Sequence, residues 1–454
     1  MAAIERKADA NPTKAFFVRI ITKDISLEDC ILDLIDNSVD GAWRCEGSRP
    51  IGLQDGTDLS KYSIMIEATP DKFSIIDNCG GMSLDDAVEH AFSFGREATE
   101  DHDDYSIGVY GIGMKRAVFK LGGNIRVRST YDDKGTRSAF AVPINVSKWL
   151  SNDKPPWDFD IEEDELLPNN GVEIVVQELT PGAAGAFESP AFLQGLRRTI
   201  ARDYALHLNR GLRISLNGSE ISGWKIELRQ SEDFQPMRLE YKDKADNEEV
   251  SIEIIGGMAA PPPESNDPEE EADNEKQPHG WYVVCNGRIV LAGDKTAISG
   301  WGTDDWPNWH PQYAGFIGII LFTAANAAAL PLTTTKRSVD ITSDIYRRAR
   351  PKMREVSTKW IAYTNQRKQA ADEAKAKEAL AVPVSIYSVA KRATVALPAL
   401  VSRPAGERLA NVHYSVPVSR LKKLAKELGG INMSNREVGL KSFNYTYDDL
   451  VGGE

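Results

Sequence analysis

Cysteine is scarce in this chain: Cys30, Cys45, Cys79 and Cys285 are four residues in 454, with no C-x-x-C pair and no histidine beside them at ligand spacing. That excludes a disulfide-stapled scaffold and a cysteine-built zinc site, and it matches the reduced thiols of a cytoplasmic protein. Long apolar runs are missing too. The most apolar stretch, Gly315 to Leu332, is interrupted by Thr323 and Asn326, and it falls short of the roughly 20 apolar residues that a membrane span needs. The opening MAAIERKADANPTK has basic residues but no apolar segment behind them, so no signal peptide is expected. Positive charge is the minority sign. The 54 Lys and Arg against 67 Asp and Glu leave a formal −13, which disfavours a protein that coats nucleic acid with its whole surface. What is present, 41% apolar and 27% charged residues over 454 positions, suits about two to four domains with proper cores.

The charge is unevenly spread. Residues 341–454 hold 20 basic and 11 acidic side chains, a net +9, so the first 340 positions carry −22. Ala260 to Gly280 has seven acids, one lysine and no aliphatic residue larger than alanine; such a segment cannot offset its ordering entropy by burial and reads as an exposed insertion. No internal repeat is evident.

Over the first 180 residues, helix and strand patterns alternate. Leu27, Ile31, Leu34, Ile35 and Ala42 form one helical stripe, predicting an amphipathic helix from about Ser26 to Arg44 with Ser26 as its cap. Tyr62, Ile64 and Ile66, then Phe73 and Ile75 beyond the Pro70-Asp71 turn, predict a strand hairpin. Ser83 with Asp86 opens another helix, and strands follow at Ile125–Arg128, Ser138–Val142 and Val172–Gln177. Helices followed by several strands imply an α+β fold, a two-layer sandwich with helices on one face of a mixed sheet.

Three polar features interrupt this scaffold. On the first amphipathic helix, Asp33, Asn37 and Asp40 sit at i, i+4 and i+7 and share one face opposite the apolar stripe. By itself this could be a solvated face; chemically it offers a carboxylate to orient water, one turn from an amide able to ligand Mg2+. At a strand end, Asp77-Asn78-Cys79-Gly80-Gly81-Met82 is either an ordinary turn or a carboxylate placed to accept from an exocyclic amine, with glycines that let a flat ring approach. Gly108-Val109-Tyr110-Gly111-Ile112-Gly113-Met114-Lys115 then runs into a helix, Lys115 to Leu121. Glycine-rich backbone at a helix N-terminus, with a lysine beside it, makes a phosphate cradle. It is no P-loop, because Met114 separates glycine from lysine and Arg116 follows, and no dinucleotide fingerprint, because a polar stretch rather than a strand precedes it.

In this order and at these separations the three segments resemble the ATP-binding domain of the GHKL superfamily, the ATPases of DNA gyrase B, heat-shock chaperone, histidine kinase and MutL type. The resemblance covers about positions 10 to 180. It implies ATP and Mg2+ as ligands, Asn37 as the magnesium-binding residue, Asp77 as the adenine-binding one with Gly81 and Met82 beside it, and Asp40 near the nucleotide. It makes Gly108, Tyr110, Gly111, Ile112, Gly113, Met114 and Lys115 the lid that closes on the phosphates, and Gly171 the counterpart of the family's Gly-Thr. Asp33 stands where the family's general base is usually Glu, and one methylene less draws the carboxylate back by about 1.5 Å, a misplacement of the size that can cost about 10²-fold in rate. Cys79 replaces a glycine, and Val172 lacks the usual hydroxyl.

A domain boundary is expected near 184. Residues 185–340, with strands Leu212–Leu216, Val250–Ile255, Trp281–Val284 and Phe316–Phe322, resemble the α/β transducer domain of MutL, gyrase and MORC relatives. Lys336 in LPLTTTKRSVD then resembles the lysine that such domains return to the γ-phosphate, and Asn286-Gly287-Arg288 the turn before a transducer strand. Trp301, Trp306 and Trp309 read as a small packed cluster, with partner contact the alternative, and His207 and His310 as structural. Residues 341–454 read as a basic, mostly helical region, with a helical run Ile345–Gln369 and two short helices around Gly429-Gly430 that suit a helical hairpin better than a helix-turn-helix. No histidine precedes the Asn37 helix, which rejects the histidine-kinase subclass.

The expected function is a Mg·ATP-driven switch or clamp with slow hydrolysis, an ATP-dependent homodimer closest in layout to MORC and MutL proteins. It would act on DNA or a partner protein, through the basic C-terminal region, in genome defence or DNA maintenance. A chaperone-like ATPase with protein clients and an ATP sensor without useful turnover are the alternatives.

Overall fold

The computed structural model describes residues 12–54, 56–93, 104–108, 112–152, 157–263, 279–303, 305–333, 336–400, 412, 415–430 and 433–452. Most of the acidic insertion expected near 260–280, residues 264–278, lies outside them.

The first sheet is built on the hairpin β1 (Ser63–Ala68) and β2 (Phe73–Asp77), the long pair β3 (Gly122–Asp133) and β4 (Thr136–Asn145), the short β5 (Glu162–Glu163), and β6 (Gly171–Leu179). Its order is β5-β4-β3-β6-β2-β1-β7-β8, with β7 (Arg213–Leu216) parallel to β1, β8 (Ser219–Ile221) at the edge, and the other pairs antiparallel. Helices cover one face: Ile64 and Ile66 of β1 and Ile125 and Val127 of β3 are buried in one core with Ile31, Ile35, Val118 and Ile200 of the helices Leu27–Cys45, Gly113–Leu121 and Pro190–Asp203. The two-layer α+β sandwich read from the alternating patterns is what forms. β7 and β8 extend this sheet from beyond residue 184. Their inward Ile214, Leu216 and Ile221 complete its core.

A second, five-stranded sheet has the order β10-β11-β14-β12-β13, with strands Met237–Ala245, Glu248–Met258, Phe316–Ala324, Gly280–Cys285 and Arg288–Asp294 respectively. All nine residues of β14 and all six of β12 are buried, as strands covered on both faces must be. One cover is the helix Asp344–Arg367, where Ser357 accepts from the Trp281 indole at 3.0 Å. The other includes Ala205 and Leu206 just after the Pro190–Asp203 helix. β9 (Glu227–Gln230) pairs with β15 (Val382–Ser385) alongside. The chain divides by compactness into Met1–Val401 and Ser402–Glu454. The helical run after residue 340, expected to begin a separate C-terminal region, therefore belongs to the first unit, because Ile345, Ala349, Met353 and Trp360 supply a face of the second core.

The second unit contains the helices Val418–Glu427 and Asn435–Leu450. Ser434 and Glu437 form both halves of a capping box at the start of the latter. In the first unit the tryptophans pack locally, Trp301 lying 5.4 Å from Trp306 and 4.8 Å from Trp309 between ring centres. His207 is buried and accepts from the Trp43 indole at 3.1 Å, and burial pushes its pKa down to about 3, so it is a neutral structural histidine. Among the described residues no helix is long and apolar enough to cross a membrane.

Candidate functional site

Ser26 caps the Leu27–Cys45 helix by accepting from the Asp29 amide. The helix buries its apolar stripe, which turns Asp33, Asn37 and Asp40 together onto the wall of a cavity of about 350 Å3. The Asn37 side chain makes no hydrogen bond among the described residues and is exposed into that space. Gly41 lets the end of β2 approach this helix, since a Cβ there would sit 2.7 Å from the Cys79 carbonyl oxygen.

Asp77 forms the floor. Its Oδ2 accepts from the Ser38 hydroxyl at 2.7 Å, and its Oδ1 from the backbone N–H groups of Cys79 at 2.9 Å and Val172 at 3.2 Å. Burial raises its pKa, against the pull of these three bonds. Two glycines make the floor possible. Gly81 has φ +77°, and a Cβ there would overlap the Thr130 carbonyl. Gly171, which does not itself line the cavity, lies so close to Asp77 that a Cβ would overlap its carbonyl. Met82 lines the cavity and is held by Ser129, which accepts from its N–H at 2.8 Å.

Asp40 ties the glycine-rich loop to the helix. Its two oxygens accept from the amides of Ile107 at 2.7 Å and Gly108 at 3.0 Å, and burial pushes its pKa up to about 7. Beyond the loop, Ile112, Gly113 and Met114 line the cavity at a helix N-terminus that no side chain caps, leaving backbone N–H groups of the kind that receive anions. Tyr110 and Gly111 lie outside the described residues.

Lys115 is not brought to the cavity. It is buried, and its Nζ donates to the carbonyls of Ala91, at 2.8 Å, and Ser93. Its neighbour Arg116 lines the cavity instead, forked onto Asp33 Oδ2 through Nε at 2.7 Å and a terminal nitrogen at 2.6 Å.

Two further cations arrive from beyond the first sheet. Lys336, from the loop after β14, lines the same cavity, with Nζ 2.9 Å from Asp36 Oδ2 and 3.4 Å from Asp33 Oδ1. Arg288, at the start of β13, bonds Asp36 through its guanidinium, and the Tyr204 hydroxyl donates to Asp36 Oδ1 at 2.7 Å. Burial alone would raise the fully enclosed Asp36, but Arg288 and Lys336 outweigh it and hold the carboxyl below its usual range. Burial likewise opposes the charge on Lys336, and Asp36 and Asp33 overcome it. Arg337 continues the network to Asp29 and, at 2.9 Å, Glu28.

Sequence reasoning missed Asp36, Arg116 and Arg288. Asp36 directly precedes Asn37, and a second acid on a buried stretch of helix was the available signal. Chemically, the cavity offers a buried acceptor at one end, an open amide in the middle, and uncapped N–H groups with two cations at the other. That polarity suits a ligand with a neutral donor-bearing ring at one end and anionic groups at the other.

No curated protein matches the chain. Residues 25–170 match the profile of a family described as Histidine kinase-, DNA gyrase B-, and HSP90-like ATPase. The matched span contains Asp33, Asn37, Asp40, Asp77 and the glycine-rich loop, so the chain carries an ATPase domain of the GHKL superfamily.

Proposed function

We propose that the chain binds Mg·ATP in this cavity and hydrolyses it slowly, as the nucleotide-driven step of a switch or clamp. Asp77 would accept from the exocyclic amine of adenine, and the N–H groups opening the Gly113–Leu121 helix would face the phosphates, with Asp40 holding the loop that leads to them. Among the described residues no three His, Cys, Asp or Glu side chains cluster as metal ligands. That fits Mg2+, which commonly takes one or two protein oxygens together with substrate phosphates, and Asn37 is the residue to supply one. Bound there, it would neutralise phosphate charge. Asp33 would orient the attacking water.

The observation that carries this reading is the entry of Lys336 into the cavity that holds Asp33 and Asn37. A cation from the loop after the second sheet gives a triphosphate the means to bias how that layer sits. In this reading the second sheet with its Asp344–Arg367 helix is the transducer, closure favours a homodimer, and the excess of basic side chains beyond residue 340, much of it on that helix, meets DNA or an acidic partner in genome defence or DNA maintenance. The free thiols fit a cytoplasmic setting.

A binding-only ATP sensor has one observation in its favour, the forked hold of Arg116 on Asp33. ATP turnover of wild type, Asp33→Ala and Asp33→Glu, each with and without DNA at low and moderate salt, tests both. Turnover lost in Asp33→Ala and stimulated by DNA with steep salt dependence supports the DNA switch. ATP binding with background turnover in all three leaves the sensor.

A further inference from the structure

Two adjacent cations open the Gly113–Leu121 helix, and their side chains leave it about 100° apart. Lys115 is committed to the carbonyls of Ala91 and Ser93 with 1% of its surface exposed. Arg116 faces the cavity with both engaged nitrogens on one oxygen of Asp33. Gly113, one turn earlier, packs its backbone against the same carboxylate, where a Cβ would lie 3.4 Å from Asp33 Cγ. With Lys336 3.4 Å from the other oxygen, Asp33 is enclosed by the groups that a phosphate at this end of the cavity would meet.

The fork occupies Asp33 Oδ2, which therefore has little capacity left for a water hydrogen. The same fork is matched to phosphate oxygens, which carry more charge than a carboxylate and compete for it. Arg288 is not available for that role, being buried between Asp36 and Asp203.

We propose that Arg116 is a triphosphate-sensing gate: it holds Asp33 until the terminal phosphate of a nucleoside triphosphate takes its guanidinium, and only then is the carboxylate open to water. The proposal rests on the nucleotide reading above and deepens it. A diphosphate, one group shorter, leaves the Arg116–Asp33 pair closed, so Arg116 separates ATP from ADP. It also reconciles an occupied Asp33 with a hydrolytic site.

The test is calorimetric titration of the full-length protein with a non-hydrolysable ATP analogue and with ADP, for wild type, Arg116→Gln, Asp33→Asn and the double variant. Arg116→Gln is expected to weaken the analogue by about ten- to a hundredfold, the worth of a charged hydrogen-bonded contact, and to leave ADP where it was. Asp33→Asn, which releases the guanidinium, is expected to tighten the analogue and not ADP. The double variant leaves no buried carboxylate orphaned, so it folds even where Arg116→Gln does not, and it should bind the analogue more weakly than Asp33→Asn. Equal weakening of both nucleotides, no weakening of either, or an Asp33→Asn protein with unchanged analogue affinity overturns the gate. Wild-type protein that binds neither nucleotide overturns the nucleotide reading, and the gate with it.

Discussion

Lys336 Nζ donates to Asp36 Oδ2 across 2.9 Å, joining two residues 300 positions apart. The backbone of Lys336 is left-handed, φ +56°, and its amide is pinned by the Thr333 carbonyl at 2.9 Å, so the residue that presents the ammonium is itself held in place. Substituting Lys336 with Ala leaves Asp36 its bonds to Arg288 and Tyr204, and the fold should survive. ATP turnover should fall by about 10²- to 10³-fold, the usual loss when one preorganised donor to developing charge is removed. Steady-state turnover beside a thermal melt checks it, and an unchanged rate removes Lys336 from the site.

Asp36 behaves in the opposite way. Asp36→Ala leaves Arg288 in the interior with Asp203 only at 4.0 Å and Lys336 with Asp33 only at 3.4 Å, and breaking such a buried pair costs about 3–5 kcal/mol. Urea unfolding should show that loss. Because the folded Asp36 carboxyl lies below its ordinary 3.8, its contribution is complete above that value and is lost as the pH falls through the lower, folded one. Above pH 5 the Asp36 carboxyl itself therefore adds no pH dependence, and any slope the variant shows up to about pH 7 comes through Asp40, whose pKa the Asp36 charge helps to raise.

Asp40 supplies a pH dependence of the other sign. Its pKa is pushed from 3.8 to about 7, chiefly by burial, so between those values the folded protein holds a proton that the unfolded chain has lost. Stability from this residue falls as pH rises through the window and is level above it. The stability of Asp40→Asn relative to wild type should then climb with pH from about 4 to about 7, by at most about 1.4 kcal/mol per unit, and flatten beyond. Urea midpoints at four pH values measure the slope; a difference that does not vary with pH would contradict the burial argument.

How much was legible follows from the reach of the physics involved. Asp33, Asn37 and Asp40 share a wall because helical periodicity is local, and the same holds for the Ser26 cap and the Ser434–Glu437 box. Asp77 was readable because a carboxylate at a buried strand end needs a reason. The choice between Lys115 and Arg116 was not, since it depends on the phase at which the helix leaves the glycine-rich loop, and one residue of phase exchanges their directions. Arg288 was read as part of a turn, and Asn286 and Gly287 do form one with positive φ. Its destination, 252 residues away at Asp36, is set by how two sheets meet. The return of β7 and β8 to the first sheet is tertiary in the same sense, because a short apolar alternation does not state which sheet it joins.

The two ends of the cavity can be told apart by a substitution at the floor. In Gly171→Ala the added methyl overlaps the Asp77 carbonyl, so β6 must draw back from the end of β2. The first bond to go is the one from the Val172 amide to Asp77 Oδ1, at 3.2 Å. A re-aimed Asp77 should weaken adenosine and ATP by the same factor, about tenfold or more, if the base binds there. Ser38→Ala removes the 2.7 Å bond to Asp77 Oδ2 without moving backbone, and a smaller loss of about two- to tenfold is expected, again equal for both ligands. Arg116 and Lys336 variants should spare adenosine entirely. Competition binding with adenosine and ATP gives the comparison directly: a Gly171→Ala protein that keeps wild-type adenosine affinity would place the base away from Asp77, because no ring held by that carboxylate could ignore the displacement of its own strand.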